Sequence, residues 1–163
     1  MRYVVLVLGI LILLLWGGLR IYNYVVFGID CEGHIKRAAD ANTIELAKQE
    51  MTVVVRYLEE RGFTSGYTSV LYRTPDEDIG FWYSNLKASL GELDKIGSDA
   101  SQLEKSNVLI KLRETLLDHD GSLSVTCPEG MSIYPGNAAY FFAGILGLVL
   151  LVGGIIAIAA IDG

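Results

Sequence analysis

The chain has 163 residues, of which 52% are hydrophobic, and its formal net charge is −6. The apolar residues are concentrated in two runs, and the segment 28–136 between them holds eleven basic and eighteen acidic residues, a net charge of −7. Because an acidic segment gains nothing from contact with phosphates, this charge argues against nucleic acid as a partner and against a domain that lies on anionic lipid.

The first apolar run follows Arg2 and extends over residues 3–27, with Arg20 as its one charged member. It exceeds the about 20 residues that cross a bilayer as a helix. Arg20 can extend its charge toward the headgroups, and Trp16 suits the membrane interface. Since no small-residue cleavage pattern follows the run, we interpret it as an uncleaved signal anchor.

The second apolar run, residues 137–161, contains no ionisable side chain and predicts a second transmembrane helix. Ala143, Gly147, Gly154 and Ala157 fall near one face of that helix. Small side chains let membrane helices approach closely, so this face is expected to pack on the first span or on another subunit. The run holds no acid or base that would indicate an ion pathway.

Two spans would place both termini on the same side of the membrane. Arg2 ahead of the first span favours a cytoplasmic amino terminus, whereas basic residues after that span oppose it. The connecting segment is too long for its charge to decide. Cys31 and Cys127 each lie next to a span, and disulfides persist outside the cytosol. We therefore expect cytoplasmic termini and an extracytoplasmic 28–136 domain.

The acidic domain begins with a pattern typical of one amphipathic helix over residues 30–61, continuing from the first span. Gly62 suits the end of this helix. An alternative is a shorter helix that begins at Asn42, which forms a capping-box pattern with Glu45. The apolar side chains of the stripe recur in steps of three and four: Ile35, Ala38, Ala41, Ile44, Ala47, Met51, Val54, Val55 and Leu58.

Residues 63–73 break the helical period and are rich in residues that favour an extended segment or a short strand. Thr74, Pro75 and Glu77 then suit the N-cap, first position and capping-box partner of a helix that extends to Ile96. Its predicted apolar face consists of Ile79, Trp82, Leu86, Leu90 and Leu93.

A further helix is predicted to begin at Ser98 or at Ser101, and Ser101 forms a capping-box pattern with Glu104. Residues 122–127 alternate in polarity and predict a strand, which we expect to pair with residues 67–72. The expected apolar face of the helix consists of Leu103, Val108, Leu109, Leu112 and Leu116.

These patterns predict an all-α membrane protein. Two transmembrane helices, 3–27 and 137–161, flank an extramembrane antiparallel helical bundle formed by the acidic domain 28–136, with one short β-hairpin-like pair.

Cys31, His34, His119 and Cys127 are the candidate site-forming residues. Thiolate and imidazole ligands suit zinc, and the spacing of Cys31 and His34 is ligand-like, but that of His119 and Cys127 is not a standard half-site. We therefore predict a disulfide between Cys31 and Cys127 beside two surface histidines, with two unpaired buried thiols as the alternative. No metal or other cofactor is expected.

Asp76, Glu77 and Asp78 are candidates for acid–base chemistry, but acids in a first helical turn already stabilise the positive end of the helix dipole. The sequence contains no nucleophile elbow, P-loop, dinucleotide fingerprint or metalloprotease helix motif. We predict that the protein is not an enzyme.

Phe81, Trp82 and Tyr83 occupy consecutive helix positions, which point about 100° apart. All three rings cannot enter one core, so at least one is exposed or faces a partner. With Tyr67 and Tyr72 in the preceding segment, they form the predicted contact surface.

The expected function is that of a non-catalytic accessory subunit, whose acidic domain serves protein–protein interaction or the assembly of a membrane complex. Its expected partners are the lipid bilayer and other membrane or extracytoplasmic subunits, including further copies of this chain. One alternative is an extracytoplasmic ligand-sensing module, which needs a concave, partly polar pocket between the helices. Another is a metal-binding or redox domain at Cys31, His34, His119 and Cys127.

Overall fold

A computed structural model of the chain describes residues 2–97, 99–118 and 124–162. Most of these residues are helical, and a small two-stranded antiparallel sheet accompanies the helices. The chain divides into two compact units. One is built from the residues up to Val25 and from Ser132 onward, and the other is formed by Val26–Met131.

The first unit contains the long apolar helices α1 (Arg2–Phe27) and α6 (Asn137–Asp162). Both are long and apolar enough to cross a bilayer, and only 6% and 11% of their most apolar windows are buried. The core helix of a soluble protein would bury most of such a window. The two helices are therefore candidate membrane-spanning helices.

The helical conformation continues beyond α1 through a π-helical turn, Gly28–Glu32, into α2 (Gly33–Ala39). The continuation from the first apolar run agrees with expectation. The chain then leaves the helix, and α3 (Ile44–Arg61) begins after a break. One helix over residues 30–61 was therefore the wrong prediction.

The cap of α3 explains this break. Thr43 has extended backbone angles, φ −135° and ψ 151°, and its Oγ1 accepts a hydrogen bond from the backbone N–H of Leu46 at 3.2 Å. This is the geometry of an N-cap. The alternative prediction of a shorter helix that begins in this region is confirmed, but its N-cap is Thr43 and not Asn42. Gly62 ends α3 in the left-handed conformation, φ 70°, as predicted.

The core of the second unit lies where α2 and α3 pack on each other and on the next two helices. The predicted stripe supplies much of it, and Ala41 is its only half-buried member. Its buried residues are Ile35, Ala38, Ile44, Ala47, Met51, Val54, Val55 and Leu58.

The next helix begins later than expected. Pro75–Glu77 forms a 3-10 turn, and α4 spans Ile79–Lys95. Asp78 is the N-cap, since its Oδ1 accepts a hydrogen bond from the N–H of Phe81 at 3.0 Å. Thr74 is the N-cap residue of the 3-10 turn rather than of α4. Its Oγ1 donates to the Glu77 side chain at 2.5 Å, and its side chain makes no cap hydrogen bond.

Helix α5 spans Gln102–Leu116, and Ser101 is its N-cap as predicted, accepting from the N–H of Glu104 at 3.2 Å. Leu103, however, is 72% exposed and does not belong to the apolar face. Leu103 precedes the buried Leu112 by nine positions, which places it about 180° around the helix.

The sheet consists of β1 (Leu117–Asp118) and β2 (Ser124–Val125), with Leu117 opposite Val125. The first two residues of the predicted strand 122–127 lie outside the described residues. Pairing of that strand with residues 67–72 was wrong. Its partner is β1, which directly follows α5, and closing the short connection between β1 and β2 costs less entropy than closing a long one. Tyr67 forms an isolated bridge with Asp78 instead.

Candidate functional site: exposed apolar residues and a buried carboxylate

The three consecutive aromatic residues of α4 have different environments. Trp82 is 6% exposed, and its Nε1 donates to the carbonyl of Thr126 at 2.6 Å, so this ring belongs to the core. Tyr83 is half-buried and its hydroxyl donates to Glu59 Oε1 at 2.5 Å. Phe81 is 66% exposed and is therefore the most exposed ring of the triplet.

The segment before α4 forms a loop closed by backbone hydrogen bonds, including one from Thr68 N–H to Glu77 O at 3.2 Å. Tyr67 is half-buried there, with the Arg73 guanidinium 5.0 Å from its ring centroid. Tyr72 is 74% exposed. Of the predicted contact residues, Tyr72 and Phe81 are thus the exposed ones.

Leu71 was missed by the sequence analysis. It is 72% exposed, beside the exposed Tyr72. Residues 63–73 show no regular period, so the sequence did not indicate which of their side chains face outward. We refer to Leu71, Tyr72 and Phe81 together as the exposed apolar trio. Aromatic side chains such as those of Tyr72 and Phe81 are enriched at protein interfaces.

Helix α5 also carries apolar side chains away from the core. Leu103 and Ile110 are 72% and 56% exposed. They are seven residues apart and therefore share one side of the helix. The buried Leu112 and Leu116 lie on the opposite side.

A buried carboxylate on α3 was the second feature that sequence reasoning missed. Glu50 is 5% exposed, with Oε2 at 2.6 Å from His34 Nδ1 and Oε1 at 2.5 Å from Arg37. When the carboxylate is ionised it only accepts, and Nδ1 is then the donor of this bond. Glu50 lies among Ala47, Met51 and Val54 of the stripe, and an acid within a buried periodicity could have indicated it.

His34 also lines an open groove of about 210 Å³ formed with α3. Besides His34, the groove is lined by two acidic residues, one arginine, one tyrosine and one valine. The lining residues are Asp30, His34, Val53, Arg56, Tyr57 and Glu60. The volume is below the about 300 Å³ at which small-molecule pockets usually begin.

The two cysteines are free thiols in this structure. Cys31 is fully buried, and burial, with Glu32 and Asp30 nearby, raises its pKa to about 12. Burial also raises the pKa of Cys127, and the neighbouring Cys31 and Glu32 add to that effect. The rare thiolate makes both poor nucleophiles in the folded protein.

The candidate zinc ligands are not described as one cluster. His119 lies outside the described residues, and His34 Nδ1 is engaged by Glu50. Within residues 2–97, 99–118 and 124–162, no three His, Cys, Asp or Glu side chains are arranged to hold a metal ion.

Two of the four small residues on α6 meet α1 closely. A Cβ at Gly154 would lie 2.8 Å from Leu6 Cα, and one at Gly147 would lie 2.7 Å from Leu13 Cδ2. Ala143 is half-buried and Ala157 is exposed.

The same packing involves residues that the sequence analysis did not select. A Cβ at Gly9 would lie 2.6 Å from Leu151 N. Trp16 Nε1 donates to Tyr140 O at 2.7 Å, and Asn23 Nδ2 donates to the Tyr140 hydroxyl at 2.8 Å. These bonds satisfy polar groups that would be costly in lipid.

Comparisons with known protein families, with curated proteins and with solved structures found no match.

Proposed function

We propose that the chain is a non-catalytic, membrane-anchored protein whose acidic helical domain, 28–136, binds other proteins in a membrane complex. The observation that carries this proposal is the exposure of the exposed apolar trio, Leu71, Tyr72 and Phe81, each of which is at least 66% accessible to solvent. Aromatic side chains contribute much of the binding energy at protein interfaces. The partners would be other membrane or extracytoplasmic subunits, including further copies of this chain.

The proposal is tested by photo-crosslinking in native membranes. A photoreactive phenylalanine analogue replaces Tyr72 or Phe81 in the full chain, and the control places it at exposed Glu45 on α3. Discrete protein adducts from positions 72 and 81, absent from position 45, support the proposal. Identical adduct patterns from all three positions, or none from any, contradict it.

We further propose that α1 and α6 span the membrane, with the termini in the cytoplasm and the acidic domain outside. The exposed apolar surface of both helices and the cysteines beside the spans support this topology. The test is a single cysteine replacing Glu45 in a chain whose own cysteines are serine. A membrane-impermeant maleimide should label it in intact cells. Labelling only after lysis would reverse the topology.

The groove beside His34 favours a second candidate function, the sensing of a small ligand. It combines acidic, basic and aromatic groups in one concavity. Its small volume supports this candidate less strongly than the exposed apolar residues support a protein partner. Ligand-dependent changes in the amide spectrum confined to residues of α2 and α3 would favour the sensor.

A further inference from the structure

A layer of polar side chains lies at one end of the α1–α6 helix pair. Trp16 Nε1 donates to Tyr140 O at 2.7 Å, and Asn23 Nδ2 donates to the Tyr140 hydroxyl at 2.8 Å. The ring of Trp16, held by its bond, carries the Arg20 guanidinium, whose carbon lies 5.3 Å from the ring centroid. An indole attracts a cation over its face. The guanidinium therefore has a defined position, and we refer to Trp16, Arg20, Asn23 and Tyr140 as the polar layer.

The compact unit that contains Arg20 supplies no carboxylate near it. The Arg20 side chain is exposed, and the one acid in the sequence of that unit is Asp162. The close approach of Gly154 to Leu6 shows that α6 is antiparallel to α1, so Asp162, the last residue of α6, belongs to the end away from the polar layer. An anion that neutralises Arg20 has to come from outside this unit.

The length of α6 indicates the depth of the polar layer in a bilayer. Residues 141–161, which follow Tyr140, contain no polar side chain, and at 1.5 Å per residue they extend about 31 Å. The hydrocarbon core of a bilayer is about 30 Å thick. With α6 across the membrane, these residues fill that core, and Tyr140 lies at its edge. The polar layer is therefore level with the lipid headgroups.

We propose that Arg20 and Tyr140 form a binding site for the phosphate group of a membrane phospholipid. This inference rests on the proposal that α1 and α6 span the membrane. The planar guanidinium offers paired N–H donors whose spacing matches two oxygens of a phosphate. The phosphodiester is anionic, so it supplies the counter-charge that the unit of α1 and α6 lacks beside Arg20.

The Tyr140 hydroxyl provides a further donor. It accepts the hydrogen bond from Asn23, and within the described part of the chain no acceptor takes its own proton. A phenolic hydroxyl that accepts one bond can still donate another. Asn23 follows Arg20 by three positions, a spacing that places two side chains on neighbouring parts of a helix surface. The hydroxyl and the guanidinium can therefore bind oxygens of one phosphate.

The site also shortens the part of α1 that lies in hydrocarbon. Residues 3–19 are uncharged and number 17, which is within the range for a spanning helix. Residues 21–25 then lie among or beyond the headgroups, although the apolar run continues through them. Tyr22 and Tyr24, each 64% exposed, suit that interface.

The test measures contact between arginine and lipid phosphorus by solid-state NMR. The full chain, with ¹³C in the guanidinium carbon of its seven arginines, is reconstituted in phosphatidylcholine vesicles without free phosphate. Dephasing of the arginine signal by ³¹P should fall in Arg20→Gln by the signal of a single residue. Arg56→Gln, which removes an exposed arginine of α3, is the matched control and should change nothing. Equal dephasing in wild type and Arg20→Gln would overturn the site.

A second measurement uses the wild-type chain alone and identifies the source of the phosphate. In vesicles of a phosphate-free galactolipid the Arg20 dephasing should disappear, and added inorganic phosphate should not restore it. Restoration would show a site for free phosphate and overturn the assignment to lipid. Extraction of the chain from the vesicles by alkaline carbonate would contradict the membrane-spanning proposal itself, whereas a retained chain without Arg20 dephasing overturns the phosphate site alone.

Discussion

The indole N–H of Trp82 donates a 2.6 Å hydrogen bond to the backbone carbonyl of Thr126, joining α4 to the segment that follows β2. The two residues are 44 positions apart in sequence, and their bond holds that segment against the core. Neither residue alone indicates the contact, yet it fixes the position of the adjacent Cys127.

Replacing Trp82 with phenylalanine removes the donor and part of the buried ring. We expect the free energy of unfolding to fall by about 2 kcal/mol, the sum of a lost hydrogen bond and reduced packing. Denaturant unfolding followed by circular dichroism measures it. The control is Phe81→Leu, an exposed neighbour, where the change should stay below about 0.5 kcal/mol. Equal losses in the two variants would contradict the structural assignment.

Adjacent glycines on α6 make a matched pair. A Cβ at Gly154 would lie 2.8 Å from the backbone of Leu6, whereas one at Gly153 would meet no described atom within 4 Å. Gly154→Leu should therefore separate α1 from α6, and Gly153→Leu should be tolerated. A crosslink between cysteines introduced on the two helices reports their separation. Similar crosslinking in both variants would rule out this packing.

Removing the carboxylate of Glu50 leaves His34 Nδ1 and the Arg37 guanidinium without their acceptor. Because Glu50 is buried, Glu50→Ala should lower the free energy of unfolding by about 3 kcal/mol, less any recovery from solvation of exposed Arg37. The exposed Glu60 of the same helix is the control, and Glu60→Ala should change stability by less than about 0.5 kcal/mol. Thermal melts of the three proteins, at equal detergent concentration, provide the comparison.

The pKa of Glu59 should be low and should depend on Tyr83. A hydrogen bond from the Tyr83 hydroxyl, and then one from Lys87, hold the pKa of this carboxyl below its usual range. The network therefore stabilises the fold above the ordinary glutamate pKa of about 4.3 and loses that contribution as pH falls through the lowered native pKa.

An NMR titration of side-chain carboxyl carbons measures this effect. Tyr83→Phe should raise the pKa of Glu59 toward the ordinary value, because the hydrogen bond that contributes most to lowering it is lost. An unchanged Glu59 titration in the variant would show that the tyrosine hydroxyl does not bind the carboxylate.

Local chemistry predicted some elements well and others by a shift of a few residues. Ser101 and Gly62 were correct because each acts on the backbone within its own turn. The prediction of Thr74 as the N-cap of α4 was wrong. Two residues that suit an N-cap lie four positions apart, and Asp78 is the one that caps α4, through its hydrogen bond from the N–H of Phe81. Tertiary packing decides between such neighbours.

Long-range contacts were beyond the sequence patterns. The burial of Glu50 depends on His34 and Arg37, which belong to another helix, so no window along α3 contains its partners. The outward position of Leu103 could have been found, because its angular position on the helix differs from that of Leu112 by half a turn. The candidate contact residues were chosen by residue type, but which of them are exposed depends on the fold of the loop before α4 and of α4 itself.

The two-sided character of α5 bears on how this protein can change over time. Leu103 and Ile110 contribute little to the interior, whereas Leu112 and Leu116 hold the helix in place. Substitutions at the outer pair carry little folding cost, so they can accumulate under selection or drift while the inner pair is retained. Lineages could thus acquire different surface chemistry on this helix without giving up the domain beneath it.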